Sequence, residues 1–124
     1  MTEPCPCGRG KAFEACCGRY TGTGVPVPDA ESLMRSRYTA FVRGDVAHLL
    51  ATWQAGTRPA KLELDAAVKW LGLEVKRHIP IDAAHAEVEF VARSRIQGRG
   101  QRLHERSRFV REDGHWLYVD GDLL

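Results

Sequence analysis

The sequence predicts an α+β fold: three helices packed on one face of a four-stranded antiparallel sheet, preceded by a cysteine-rich knuckle. Three observations carry this expectation. Apolar residues recur at helical spacing between residues 30 and 53. After Gly72 the apolar period changes to two, the period of a half-buried strand. All four cysteines of the 124-residue chain fall within thirteen positions, at Cys5, Cys7, Cys16 and Cys17. The organisation expected is a knuckle over residues 1–20, a connector over 21–28 and a folded body over 29–124.

In the body, Asp29 is placed to cap a first helix whose apolar stripe is Ala30, Leu33, Met34, Tyr38, Phe41 and Val42. Gly44 suits its end and Asp45 can cap the next helix, with Val46, Leu49, Leu50 and Trp53 on its apolar face. Gly56 to Pro59 breaks the pattern. A third helix is predicted from Asp65, with Ala67, Val68, Trp70 and Leu71 on one broad face. The first strand then alternates Leu73, Val75, Ile79 and Ile81 with Glu74, Lys76, His78 and Pro80. Val88, Phe90, Ala92 and Ile96 mark the second strand. Gln97 to Gln101 reads as a hairpin turn, residues 102–111 as the third strand, and Asp113-Gly114 as a short turn before Trp116 to Val119 closes the sheet. The connector alternates Gly and Pro with β-branched residues, which favours extended chain.

Composition narrows the function classes. Hydrophobic residues are 44% and charged residues 27%, which excludes wholesale disorder. No apolar run approaches the roughly 18 residues needed to span a membrane. The first 20 residues hold four Cys and three Gly with no apolar stretch, so a signal peptide is not expected and the location expected is cytoplasmic. The formal charge of +2 is too small to imply an acidic partner, and four thiolates on one divalent cation would cancel it. Charge is nevertheless uneven: residues 85–111 contain seven Arg against three Glu, which is what any polyanion reading rests on.

The cysteines have the spacing Cys-x-Cys-x₈-Cys-Cys. Two short pairs separated by a loop can supply four soft ligands at the corners of a tetrahedron, as zinc requires. Pro4 and Pro6 stiffen the first pair, and Gly8, Gly10 and Gly18 let the backbone fold tightly. Arg9, Lys11 and Arg19 offset the charge of the thiolates. A redox or disulfide role and inert thiols are the competing readings. A filled Cys₄ shell leaves no position for a catalytic water, so the zinc is expected to be structural. Gly8-Arg-Gly-Lys11 fails as a phosphate loop, because the spacing is wrong and Ala12 stands where Ser or Thr is needed.

Cys5-Pro-Cys-Gly-Arg-Gly-Lys-Ala-Phe-Glu-Ala-Cys-Cys-Gly18 resembles the SEC-C zinc motif, best known at the C-terminus of the SecA preprotein-translocase motor, where it contacts the SecB chaperone. The resemblance implies Cys5, Cys7, Cys16 and Cys17 as ligands of one structural Zn²⁺, Phe13 as the motif's aromatic and Lys11 as its basic residue. Arg9 departs from a position usually held by Ser. Ala30-Glu-Ser-Leu-Met-Arg-Ser-Arg-Tyr-Thr-Ala-Phe-Val42, Thr52-Trp53, His104-Glu-Arg-Ser-Arg-Phe-Val-Arg-Glu-Asp-Gly-His-Trp116 and Asp120-Gly121 resemble the uncharacterised bacterial YchJ-like family over nearly the whole chain. That resemblance implies an NTF2-like (cystatin-like) cone over residues 29–124.

Two functions follow as expectations. The first is a non-enzymatic cytoplasmic adaptor that docks to a macromolecule of protein export, of a chaperone system or of the ribosome, with Arg9, Lys11 and Phe13 as contact surface. Its knuckle is expected to unfold without metal while the body stays folded. The second is a small ligand in the cone, with acid–base chemistry through Glu105 or Tyr118; Asp120 and Tyr38 are weaker candidates. If Leu103 and Phe109 face inward, so do Glu105 and Ser107, while His104 faces outward. The favoured reading of Glu105 is a cross-strand pair with Arg93 or Arg95. Arg35 and Arg37, flanking the stripe of the first helix, are either solvated or a cationic floor for an anion. Trp53, Trp70 and Trp116 read as core or rim aromatics. RNA contact through the arginine-rich strands and a homodimer through the sheet stay open.

Overall fold

The computed structural model describes residues 3–21 and 25–124; residues 22–24 of the expected connector lie outside them. The elements are α1 (Ala30–Arg43), α2 (Val46–Ala51), β1 (Val68–Asp82), β2 (His85–Ile96), β3 (Arg99–Glu112) and β4 (His115–Leu123), preceded by two 3₁₀ turns at Phe13–Ala15 and Cys17–Arg19. The strands form an antiparallel meander in the order β1-β2-β3-β4. One face of the sheet holds α1, which touches β1, β2 and β4.

Local chemistry sets the helix ends. Ser32 N donates to Asp29 Oδ1 at 2.7 Å, and His48 N to Asp45 Oδ1 at 3.1 Å, so both N-caps form as the sequence predicts. Gly44 closes α1 in the left-handed region at φ 71°, its N–H shared between the Ala40 and Phe41 carbonyls. Two hairpins turn on Gln97-Gly98 and Asp113-Gly114, all four residues at positive φ, the conformation that matches strand twist. The first of these turns is shorter than predicted, since Gly100 and Gln101 already pair with β2. The hairpin at residues 83–84 has no glycine. There Asp82 replaces backbone conformational freedom with side-chain acceptors for Ala84 N and the His85 ring.

The predicted third helix does not form. Residues 66–67 make a turn and β1 begins at Val68, pairing Val68 with Ile96 and Trp70 with Ser94. Seven residues ending in glycine make a poor helix, whereas Val68 and Trp70 alternate with exposed Lys69 and Leu71. Trp70 then reaches α1, edge-on to Tyr38 with ring centroids 5.6 Å apart. The alternation predicted for the first strand also fails part-way. Register shifts between Trp70/Gly72, Val75/Arg77 and Pro80/Asp82 each change which residues face inward. Leu73 and Val75 face the helix as expected. Beyond the second shift His78 stands opposite buried Val88, while Ile79 stands opposite Glu87 on the outer face.

The core lies between α1 and the sheet. Leu33, Val88 and Phe109 are almost fully enclosed, with Tyr38, Phe90 and Ala92 beside them. The outer face is charged and cross-paired: Arg93 with Glu74, Arg106 with Glu87, and Arg108 with both Asp120 and Asp122. Arg108 bonds the two aspartates at 2.6 and 2.7 Å. These two pairs join strands β3 and β4, and their exposure limits the stabilisation each contributes.

Candidate functional site

The knuckle brings together all four cysteines that the spacing singled out. Cys5 N donates to Lys11 O at 2.9 Å and Phe13 N to Glu3 O at 2.8 Å, closing a small hairpin around Gly8 and Gly10, both at positive φ. The two 3₁₀ turns then return Cys16 and Cys17 to the first pair. The four Sγ atoms lie within 4.8 Å of one another, and each cysteine is buried. Cys7 and Cys16 have their sulfurs 3.6 Å apart. Tetrahedral Zn–S bonds of about 2.3 Å place sulfurs roughly 3.8 Å apart, so the donor set fits a metal of that kind. The thiols disagree about ionisation. Hydrogen bonding from Cys17, opposed by burial, lowers Cys7 to about 5. Cys16 is pushed up to about 11, by burial first and then by Cys7, and Cys17 is pushed up by its bond to Cys7 and by burial. One thiolate thus forms at its neighbours' expense, the conflict that a central cation removes.

The knuckle is clamped to α1. Arg9 donates to Ser32 Oγ at 3.0 Å and pairs with Glu31 at 3.4 Å. Arg35 donates to Cys7 O at 2.8 Å, Thr39 Oγ1 lies 3.6 Å from Cys5 Sγ, and the Arg43 guanidinium sits 4.0 Å over the Phe13 ring. Residues 32, 35, 39 and 43 form a second helical face, polar and partly small, opposite the stripe that meets the sheet. Of the three predicted contact residues, Arg9 and Phe13 are therefore occupied within the chain, and Lys11 is exposed. Sequence reasoning missed Thr39 and Arg43 in this role. Their helical spacing is a usable signal, overshadowed by the apolar stripe on the opposite face.

A second constellation lies between α1 and the sheet, around a cavity of about 270 Å³. Its apolar walls include Met34, Tyr38, Phe41, Trp70, Phe90 and Leu103. Arg37, Trp53, Glu105, Ser107 and Tyr118 form its polar side. Arg37 does not flank the stripe of α1: it occupies the step between Met34 and Phe41, on the stripe itself, and is only 4% exposed. Its Nη1 donates to Leu49 O at 2.8 Å and to Thr52 Oγ1 at 2.7 Å. The guanidinium lies 5.0 Å from the Trp53 ring centroid and 4.6 Å from that of Tyr118. Burial lowers Arg37 to about 10, which leaves it a cation at neutral pH, and burial pushes Tyr118 up to about 12, which keeps its hydroxyl protonated. Trp53 lies beyond α2, not on it, bridged to Tyr118 by main-chain bonds of 2.8 Å from Gln54 N and from Tyr118 N.

Glu105 faces inward as the alternation predicted, but the expected pair with Arg93 or Arg95 does not form. Those two residues stand opposite Arg102 and Gly100, whereas Glu105 stands opposite Phe90. Its Oε2 accepts from Ser107 Oγ, two residues along the same face. A Cβ at Gly121 would run into the Glu105 carboxyl, so glycine there makes room for it. Asp120 is on the outer face with Arg108 and does not reach the cavity. His104 faces outward as predicted and meets Glu89 at 2.7 Å.

Known proteins resemble the chain over two stretches. Residues 1–19 match the SEC-C motif, and residues 29–121 match the family described as YchJ, middle NTF2-like domain. A UPF0225 protein of Polaromonas naphthalenivorans is 58% identical over 134 residues, covering 98% of each chain. The solution structure of a SEC-C motif containing protein from Rhodopseudomonas palustris superposes with a TM-score of 0.87 at 30% identity, over 98% of this chain and 99% of that one. The crystal structure of a SEC-C motif containing protein from Psychrobacter arcticus has a TM-score of 0.78 at 28% identity, over 95% and 81%.

Proposed function

The chain belongs to the YchJ-like family, a SEC-C motif followed by an NTF2-like domain, and on that footing we propose that it is a zinc-stabilised binding module rather than an enzyme. One structural Zn²⁺ would be held by Cys5, Cys7, Cys16 and Cys17, with no coordination position left for a substrate. The observation that carries this reading is the cluster of four buried sulfurs within 4.8 Å of one another. The metal would fix the knuckle in one pose on α1. The exposed rim around Lys11 and Glu14 is then a rigid platform for a protein partner, and rigidity lowers the entropy cost of docking.

Metal analysis and affinity capture test the two halves separately. Wild type is expected to carry one zinc per chain, and a Cys16→Ser/Cys17→Ser variant almost none. In a pull-down, Lys11→Glu is added as a third bait, because it leaves the metal ligands intact. A protein retained by wild type and lost by both variants supports the platform. Equal recovery by all three baits, or RNA in place of protein, overturns it; absence of zinc from the wild type overturns the metal assignment.

A further inference from the structure

Arg37 and Glu105 border one cavity, carry opposite charge types and do not touch. Nη1 of Arg37 donates to Leu49 O and Thr52 Oγ1, and the rings of Trp53 and Tyr118 flank its guanidinium. Glu105 has one hydroxyl donor, Ser107, on one oxygen. Trp53 lines the same cavity, and its indole N–H is buried without an acceptor among the described residues. Buried donors are ordinarily satisfied, so an indole N–H left without a partner beside a cavity lined by Arg37 and Glu105 points to a missing polar group.

We propose that this cavity binds a small, net-neutral molecule whose dipolar head presents an acceptor to Arg37 and a donor to Glu105, with a ring-sized apolar body against Phe41, Trp70 and Leu103. Charge balance selects the head. Arg37 and Glu105 bring opposite charge types to one cavity, so a net anion or a net cation would be attracted by one of them and repelled by the other. A head that accepts on one side and donates on the other, such as a carboxamide or an amino-acid zwitterion, meets both groups. Size selects the body. The cavity of 270 Å³ equals the liquid volume of about nine waters, below the ordinary range for large cofactors.

The probe is benzamide, titrated into the full-length, zinc-loaded, ¹⁵N-labelled chain and followed by NMR. Benzoate, benzylamine and toluene serve as the anionic, cationic and apolar controls. The indole N–H signals of Trp53 and Trp70 report on the cavity they line, and Trp116, which does not line it, is the internal reference. Benzamide is expected to move the first two signals saturably at millimolar concentration and leave the third in place, with each control at least about tenfold weaker. Glu105→Gln should weaken benzamide by a similar factor. Leu103→Trp fills the cavity from a position 37% exposed, where folding tolerates bulk, and should abolish the shifts. No saturable shift by about 10 mM, or shifts that survive Leu103→Trp, would overturn the site. Binding of benzoate or benzylamine as tight as benzamide would overturn the charge-balanced head, and equal binding of toluene would overturn the polar recognition altogether.

Discussion

His48 shows how a single residue links the two helices to pH. It is buried at 6% exposure, with Nε2 3.0 Å from Ser36 Oγ. The Ser36 hydroxyl donates to Leu33 O, so it accepts from His48 Nε2–H, a bond that the neutral and the charged ring both make. Burial lowers the His48 pKa, Arg37 adds to this and Asp45 opposes it. The unfolded chain therefore binds the proton first. Stability from this group is complete above the ordinary value of 6.5 and is lost as pH falls below it. Urea midpoints at pH 7.5 and 5.5 should fall more for wild type than for His48→Gln, whose amide keeps a donor to Ser36 but has no titrating group. Equal falls would show that His48 does not contribute. Arg37 illustrates the opposite arrangement at this scale: it stays charged in a buried place because two backbone and side-chain oxygens and two aromatic faces hold it.

Among the elements, α1 has the most demanding position, since it faces the sheet on one side and the knuckle on the other. Its first turn carries both the Asp29 cap and the Ser32 and Glu31 partners of Arg9. Asp29→Ala should cost about 0.5–2 kcal/mol, the usual range for losing an N-cap, read as a lower urea midpoint with an unchanged slope. A loss near zero would mean that the knuckle contacts alone hold this turn. In β1, three register shifts bend the strand so that its two halves show different faces to the helix. That bend places Trp70 on α1 while leaving Ile81 57% exposed, an arrangement unbroken alternation does not produce.

For the whole molecule, the clamp between knuckle and α1 would couple a metal held by the four cysteines to global stability. Metal loss would release the contacts of Arg9, Arg35, Thr39 and Arg43 together. Three charge-assisted bonds and a cation–π contact amount to about 2 kcal/mol after solvent screening. At roughly 3–4 °C per kcal/mol for a chain of this size, chelation or Cys17→Ser should lower the melting temperature by about 5–10 °C with the sheet still folded at 25 °C. Loss of the knuckle's NMR signals with no change in melting would show that the two parts are energetically independent. Among the described residues no helix is long and apolar enough to cross a membrane.

What the sequence determined by itself was local in origin. The cysteine spacing, the caps at Asp29 and Asp45, the glycine stop at Gly44 and the short turn at Asp113-Gly114 are all set by neighbours within a few positions, and the structure keeps each of them. The inward alternation of Leu103, Glu105, Ser107 and Phe109 belongs to the same class, because β3 pairs with β2 without a slip. Tertiary structure decided the rest. Residues 68–71 became strand because pairing with β2 and packing on Tyr38 outweigh a weak helical period. Bulges reversed the face of Ile79, and a one-residue slip leaves no mark in composition. Arg9 and Phe13 turned to α1, and Arg37 came to border the same cavity as Glu105, because helix and sheet meet only after the chain has closed over long sequence separations.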